Sequence, residues 1–307
     1  MLKYIGKRLL IGVITLFVLA TTTFFLMKLM PGSPFASEGK FISKEAQAAM
    51  VASYGLDKPV FEQYKNYMGN ALQGDFGTSY RRIGTNVSDI VAASAPVTIK
   101  LGLTAFVIAI VVGIGLGVAA ALSKRKWVNN AVMFVSTIGV SMPSFLIALL
   151  LMLSLGVWLR VLPIVGLSTP LHYIMPATAL ALYPISMISR LTRSSMLEVM
   201  KQDYMILAKS KGSSPKAVIF KHALKNAMLP VITYAGPMIA FLTTGSFIVE
   251  TIFSIPGIGS EYVSSVSTRD YPMIMALTIL LGTMVIVLNL ASDVISAIID
   301  PRIKLGE

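Results

Sequence analysis

Six apolar runs divide the chain, with polar or basic stretches between them. The first, Leu9 to Met27, is about 19 residues or roughly 28 Å as a helix, enough to cross the hydrocarbon of a bilayer. It outlasts the apolar part of a cleaved signal peptide and runs into Lys28-Leu-Met-Pro-Gly-Ser-Pro34, so it reads as a retained anchor. Further spans are predicted over Pro96 to Leu122, Ala131 to Leu159, Tyr173 to Ile188, Met228 to Val249 and Met273 to Ile295. Pro143 is placed to kink the third, and Pro176 and Pro184 to interrupt the short fourth. Pro237 and Gly245 lie in the fifth. These four prolines are the candidate hinges of a pathway. Gly113, Gly115 and Gly117 in the second span have no strand before them and the wrong spacing for a dinucleotide fingerprint. They predict close helix approach instead. The expected fold is all-α, with six transmembrane helices.

From 31 to 95 the chain turns polar. Lys40, Lys44, Lys58, Lys65, Arg81 and Arg82 are balanced by Glu38, Glu45, Asp57, Glu62, Asp75 and Asp89, a pattern tolerated on the trans side of a membrane. Pro59 can open a helix with Phe61, Tyr64, Met68 and Leu72 at helical spacing, and Gly74-Asp-Phe-Gly77 reads as a turn. Two readings remain: a cap on the outer helix ends, or a cap that also meets an external solute-binding protein. The predicted organisation is a basic end and first helix (1–30), an extracytoplasmic loop domain (31–95), a core of the remaining five spans (96–300) with a cytoplasmic loop at 191–227, and a tail (301–307).

Composition agrees with lipid as the main solvent. The chain has 307 residues, 55% hydrophobic and 13% charged, where soluble domains carry about 25% charged residues. Its formal net charge of +12 does not point to nucleic acid. The cations gather in short segments between spans: Lys3, Lys7 and Arg8; Lys124, Arg125 and Lys126; the stretch Arg190 to Pro230; and Arg302 with Lys304. With six spans all of these fall on one side, which puts both termini in the cytoplasm. There is no cysteine. His172 and His222 fall on opposite predicted sides, and phosphate-loop, nucleophile-elbow and zinc-protease signatures are lacking. No catalytic residue, no metal site and no cofactor of its own are expected. If ATP is used, another chain holds it.

The basic segment carries Arg190, Arg193, Lys201, Lys209, Lys211, Lys216, Lys221 and Lys225 against Glu198 and Asp203. Gly212-Ser213-Ser214-Pro215 breaks its helical pattern, and a second helix is expected from Lys216. There Val218, Ile219, His222 and Ala223 can share a face, with Lys221 pointing away and Lys216 and Lys225 on the flanks. Such a helix suits a groove on another protein or the surface of anionic lipid equally. On the last span Asn289, Ser292 and Asp293 share a face. An intramembrane carboxylate suits a proton-coupled secondary transporter; the alternative is a bond to a neighbouring helix.

Several stretches together carry a resemblance over nearly the whole length. They are Met30 to Phe35, Tyr54 to Tyr64, Gly74 to Ser79, Ser189 to Gly212, His222 to Ile232, Val249 to Gly259, Arg269 to Pro272 and Asp300 to Ile303. In this order the chain resembles a permease subunit of an ATP-binding-cassette importer of the dipeptide, oligopeptide and nickel class, above all the B-type oligopeptide subunit. The resemblance implies the type I importer permease fold and a bacterial inner or cytoplasmic membrane location. It also implies half of a translocation pathway for oligopeptide, dipeptide, nickel or another peptide-like solute. The implied partners are a homologous C-type permease, two ATP-binding subunits (D- and F-type) holding ATP and Mg, an extracytoplasmic peptide-binding protein, and membrane lipid, but no nucleic acid. It makes the basic loop the ATPase-coupling loop, with Ala208 and Gly212 on its alanine and glycine and Leu229-Pro230 on its Leu-Pro end. Ile206 stands at the family's glutamate and Leu207 at its first alanine, and the stretch to Pro230 is longer. Ser213, Ser214, Pro215, Lys216, Val218, Ile219, Lys221, His222, Leu224 and Lys225 complete the expected coupling residues.

Overall fold

The structure is a computed structural model that describes residues 2–30, 34–35 and 44–299. Residues 31–33 of the Met30 to Phe35 stretch, the Asp300 to Ile303 stretch and the 301–307 tail lie outside the described residues. Among the described residues, regular structure is helical apart from one antiparallel bridge, Thr78 to Asn86. In order come α1 (Leu2–Leu29), α2 (Lys44–Ser53), α3 (Val60–Ala71), α4 (Val87–Leu122), α5 (Lys126–Ser141) and α6 (Ser144–Leu151), which runs on as a π-helix over Met152–Trp158. Next are α7 (Pro170–Val199), α8 (Asp203–Ser210), α9 (Pro215–Ala217), a π-helical turn Val218–Ala223 and α10 (Leu224–Ala227). The chain closes with α11 (Leu229–Thr243), α12 (Phe247–Ile252), α13 (Ile258–Thr268) and α14 (Tyr271–Ile299).

Four helices are long and apolar enough to span a bilayer, or six spans if each of two bent pairs counts as one. The third expected span is one of those pairs. It breaks at Met142-Pro143 through 108°, far more than the expected kink. Pro143 is extended (φ −60°, ψ 140°) and opens α6, since a proline at a helix start has no backbone donor to lose. The fourth span departs the other way. Pro176 and Pro184 are both buried inside α7, which is continuous over 30 residues. A proline inside a helix costs about 3 kcal/mol; neighbouring helices packed on most sides of α7 offset it here. The fifth span ends at Thr243, where Gly245 takes φ +90°. Its internal Pro237 leaves α11 unbroken. The second starts at Val87, ahead of Pro96, because Val87 and Ile90 are buried in a core cluster.

The chain divides into two compact units, Thr98–Ile255 with Val287 onward, and Leu2–Val97 with Pro256–Ile286. In the first, α7 is the central helix. Gly113 and Gly117 of α4 lie against it so closely that a Cβ on Gly117 would stand 2.5 Å from Thr192 Cβ and 2.7 Å from Ser189 O. A Cβ on Gly115 would meet nothing. The expectation of close approach holds for two of the three glycines. On another side Ser136 Oγ of α5 bonds Ser189 Oγ at 2.7 Å. Ser292 of α14 fits against Gly236 of α11, which accounts structurally for part of the polar face on the last helix.

In the second unit α1 and α14 pack through Ala20, Phe24 and Met27 against Tyr271, Ile274 and Met275. The polar stretch builds onto this core. Pro59 precedes α3, whose Tyr64 stacks on Phe25 (5.5 Å between centroids) and bonds Thr21 Oγ1 at 2.8 Å. Phe61 and Leu72 of the same expected stripe are exposed. In the Gly74 to Gly77 turn the Gly77 amide donates to Asp75 Oδ1. Asp270 is buried and accepts from Ser79 Oγ, from Tyr80 N at 3.1 Å and from Arg81 N at 3.4 Å. Arg82 pairs with Glu261 at 2.7 Å.

Candidate coupling surface and transmembrane cavity

The basic segment is built from short helices because its sequence stops each one. After α7, the backbone turns at Met200 to Gln202, and Asp203 sits in the first turn of α8, where a carboxylate favours the helix N-terminus. Gly212 takes φ +80°, a conformation that costs a glycine little. Ser214 then caps α9 by accepting from Ala217 N at 3.3 Å, with Pro215 in the first helical position. The break expected at Gly212 to Pro215 is present.

The expected helix face is present, and it turns toward the protein's own core. Val218 and Ala223 are 3% and 0% exposed and pack with Met196, Met205 and Ala227 in a core cluster, with Ile219 and Leu224 partly buried beside them. Ala208 is buried as well, while Gly212, Pro215, Lys216, Lys221, Lys225, Leu229 and Pro230 are exposed and Ser213 and His222 half-buried. The apolar stripe anchors the segment to its own protein, because a short helix has to bury its apolar face locally to stay formed. The outward side carries other residues: Phe220 (61% exposed), Ile206 (59%), Leu207 (55%) and Tyr204, set among Lys201, Lys211, Lys216, Lys221 and Lys225. Sequence reasoning passed over these four. The signal was there at Ile206 and Leu207, two apolar residues where the resembled pattern has a glutamate and an alanine.

The second feature is a cavity of about 560 Å³ where two helix breaks meet α7. Met142, Pro143 and Ser144 line it from the break between α5 and α6, and Gly245, Ser246 and Phe247 from the break between α11 and α12. Tyr183 and Phe241 also face it. Of the four candidate hinge prolines, Pro143 lies at this cavity. Pro176 and Pro184 are buried within α7, and Pro237 lies within α11. Beside it Glu250, expected in an outer loop, is fully buried; Thr98 Oγ1 donates to its Oε1 at 3.1 Å. Gly245 leaves room for that carboxylate, since a Cβ there would come within 2.6 Å of Oε1. His172 serves the start of α7, its Nδ1 accepting from Thr169 N at 3.3 Å, and is far along the chain from His222. Among the described residues no cluster of His, Cys, Asp or Glu could hold a metal ion.

Two family descriptions match. Residues 113–305 match "Binding-protein-dependent transport system inner membrane component", and residues 1–102 match the corresponding N-terminal region. The chain is 42% identical over 305 residues to the dipeptide transport system permease protein DppB of Lactococcus lactis subsp. cremoris, covering 99% of this chain and 100% of that protein. It is 42% identical to the oligopeptide transport system permease protein OppB of Haemophilus influenzae, again over 99% of this chain and 100% of the relative. The fold is shared with a solved chain of the MetNI methionine ABC transporter (TM-score 0.56, 16% identity, 69% of this chain and 96% of that one). The protein is therefore a multi-pass membrane protein of the binding-protein-dependent transport system inner membrane component family.

Proposed function

We propose that this chain is the permease subunit of an ATP-driven peptide importer, forming half of the translocation pathway. The observation that supports it best is full-length similarity to permeases of both dipeptide and oligopeptide systems. The chain is a transport component, and the family works with a second permease, ATP-hydrolysing subunits and a substrate-binding protein. ATP and Mg belong on the ATPases, and the C-, D- and F-type assignments of the partners follow the resemblance alone. The basic segment beyond α7 and both termini face the cytoplasm. Tyr204, Ile206, Leu207 and Phe220 give the ATPase an apolar contact, and the surrounding lysines steer it by charge. Closure of the ATPases then moves the segment and rocks the helices attached to it between two states.

The same reading sends peptide through the cavity at the helix breaks, where carbonyl and amide groups freed by the breaks face water rather than lipid. The test is reconstitution of the full complex in liposomes. Reversing charge at Lys216 and Lys221, or deleting Gly212 to Pro215, should leave basal ATP hydrolysis and abolish its stimulation by loaded binding protein together with uptake. Unchanged uptake in both variants would remove the docking role. The chain reconstituted alone with a proton gradient should move no peptide.

A further inference from the structure

A polar strip leads away from the cavity along the first unit. Among the exposed residues of α5, Asn130, Phe134, Thr137 and Ser141 recur at helical spacing, beside an apolar row of Ala131, Val135 and Ile138. Along α7 the residues that remain accessible include Tyr183, Met187, Arg190 and Ser194, again three and four apart. Ser141 and Tyr183 line the cavity itself, so the strip continues from it toward the Lys126 end of α5. Three of those four α5 residues are polar. The outward side of α1 looks different, dominated by Leu9, Leu10, Ile11, Val13, Ile14, Phe17 and Val18. A surface meeting hydrocarbon has the composition of α1. One with an arginine, a serine, a threonine and an asparagine faces protein or water.

Arg190 stands in the middle of this strip, inside a candidate span. Its Nη2 donates to Thr137 Oγ1 at 2.7 Å, a neutral acceptor, while its Nε is buried with no hydrogen-bond partner. One turn on, Arg193 Nε donates to Asn129 Oδ1 at 2.5 Å, also neutral. Among the described residues no carboxylate pairs with either guanidinium. A half-buried guanidinium held by one neutral bond, its charge met by no carboxylate, is suited to an anionic ligand that comes and goes.

We infer that Arg190 determines specificity by receiving the C-terminal carboxylate of a peptide passing from the cavity along the face of α5 and α7. This rests on the peptide-importer reading and adds a residue to it. The contact is loose by design: one charge-assisted bond in a wet path draws the peptide inward without trapping it.

The test uses the complete complex in liposomes, with a short peptide and its C-terminal amide, each at a concentration that saturates the binding protein. Wild type should import the free acid about tenfold faster, the worth of one hydrogen bond to a charged group. Arg190→Gln should bring the acid down to the rate of the amide and leave the amide unchanged, which also shows that the variant folds. Arg190→Lys should keep part of the preference. Equal wild-type rates for acid and amide, or a proportional loss of both in Arg190→Gln, would overturn the inference and leave the importer reading standing. Loss that follows the anionic-lipid content of the vesicles, alike for acid and amide, would assign Arg190 to a lipid phosphate instead. A wild-type complex that imports neither form would remove the importer reading and the inference with it.

Discussion

Gly117 and Gly115 lie two residues apart on one helix, and the structure makes opposite demands on them. Alanine at 117 would put its Cβ 2.5 Å from Thr192 Cβ and 2.7 Å from the Ser189 carbonyl, well inside contact distance. The Ser189 side is backbone of α7 and cannot rotate away, so α4 and α7 have to part. Overpacking of this kind costs about 1–3 kcal/mol. Alanine at 115 meets nothing within 4 Å, and its better helix propensity contributes at most about 1 kcal/mol in its favour. The difference between Gly117→Ala and Gly115→Ala should therefore be roughly 1–4 kcal/mol, all of it from packing and propensity. Both variants would be purified in the same detergent and heated, with loss of the monodisperse species followed against temperature. Gly117→Ala should lose several degrees, and Gly115→Ala should match or exceed the parent. Equal midpoints, or the reverse order, would refute the α4–α7 contact as drawn.

Three further outcomes follow from the same structure. Asp270→Ala strands the buried Ser79 hydroxyl, at about 1–3 kcal/mol, and frees the part-buried Tyr80 and Arg81 amides; faster proteolytic cleavage near Ser79 in the otherwise folded protein checks this. Burial, and then the neighbouring Tyr80 and Asp75, push the Tyr67 phenol above its ordinary value of 10.0. Burial and then Asp270 do the same to Tyr80. A raised tyrosine pKa means the native state keeps a proton that the unfolded state loses, so this stability is complete below pH 10 and falls as pH rises beyond it. Tyrosinate absorbance should show late-titrating phenols, fewer in Tyr80→Phe. Phe220→Ala should leave thermal stability within about 0.5 kcal/mol, as surface changes do, yet lower ATPase stimulation. Val218→Ala should cost stability through a cavity in the core cluster, a contrast that thermal unfolding and ATPase assays separate.

The hydrophobic pattern along the chain determined the all-helical class and the position of the long apolar helices. Each of these depends on transfer of side chains from water to lipid, which a linear sum over neighbours captures. Local chemistry was equally readable where the cause was local. Gly212 to Pro215 breaks its helix, Pro59 opens α3, and Asp75 closes its turn. What the tertiary structure alone decided is which of several alike residues matter. Pro143 sits at a 108° break, while Pro176 and Pro184 lie within an unbroken helix, because the cost of a proline is met or unmet by neighbours distant in sequence. Gly117 is pressed against α7 and Gly115 faces open space, and Val218 turns inward while Phe220 turns out. The apolar face of the basic segment could be drawn from its periodicity. Whether that face meets the protein's own core or a partner depends on where Met196 and Met205 come to lie, and that is a property of packing, which no single stretch encodes.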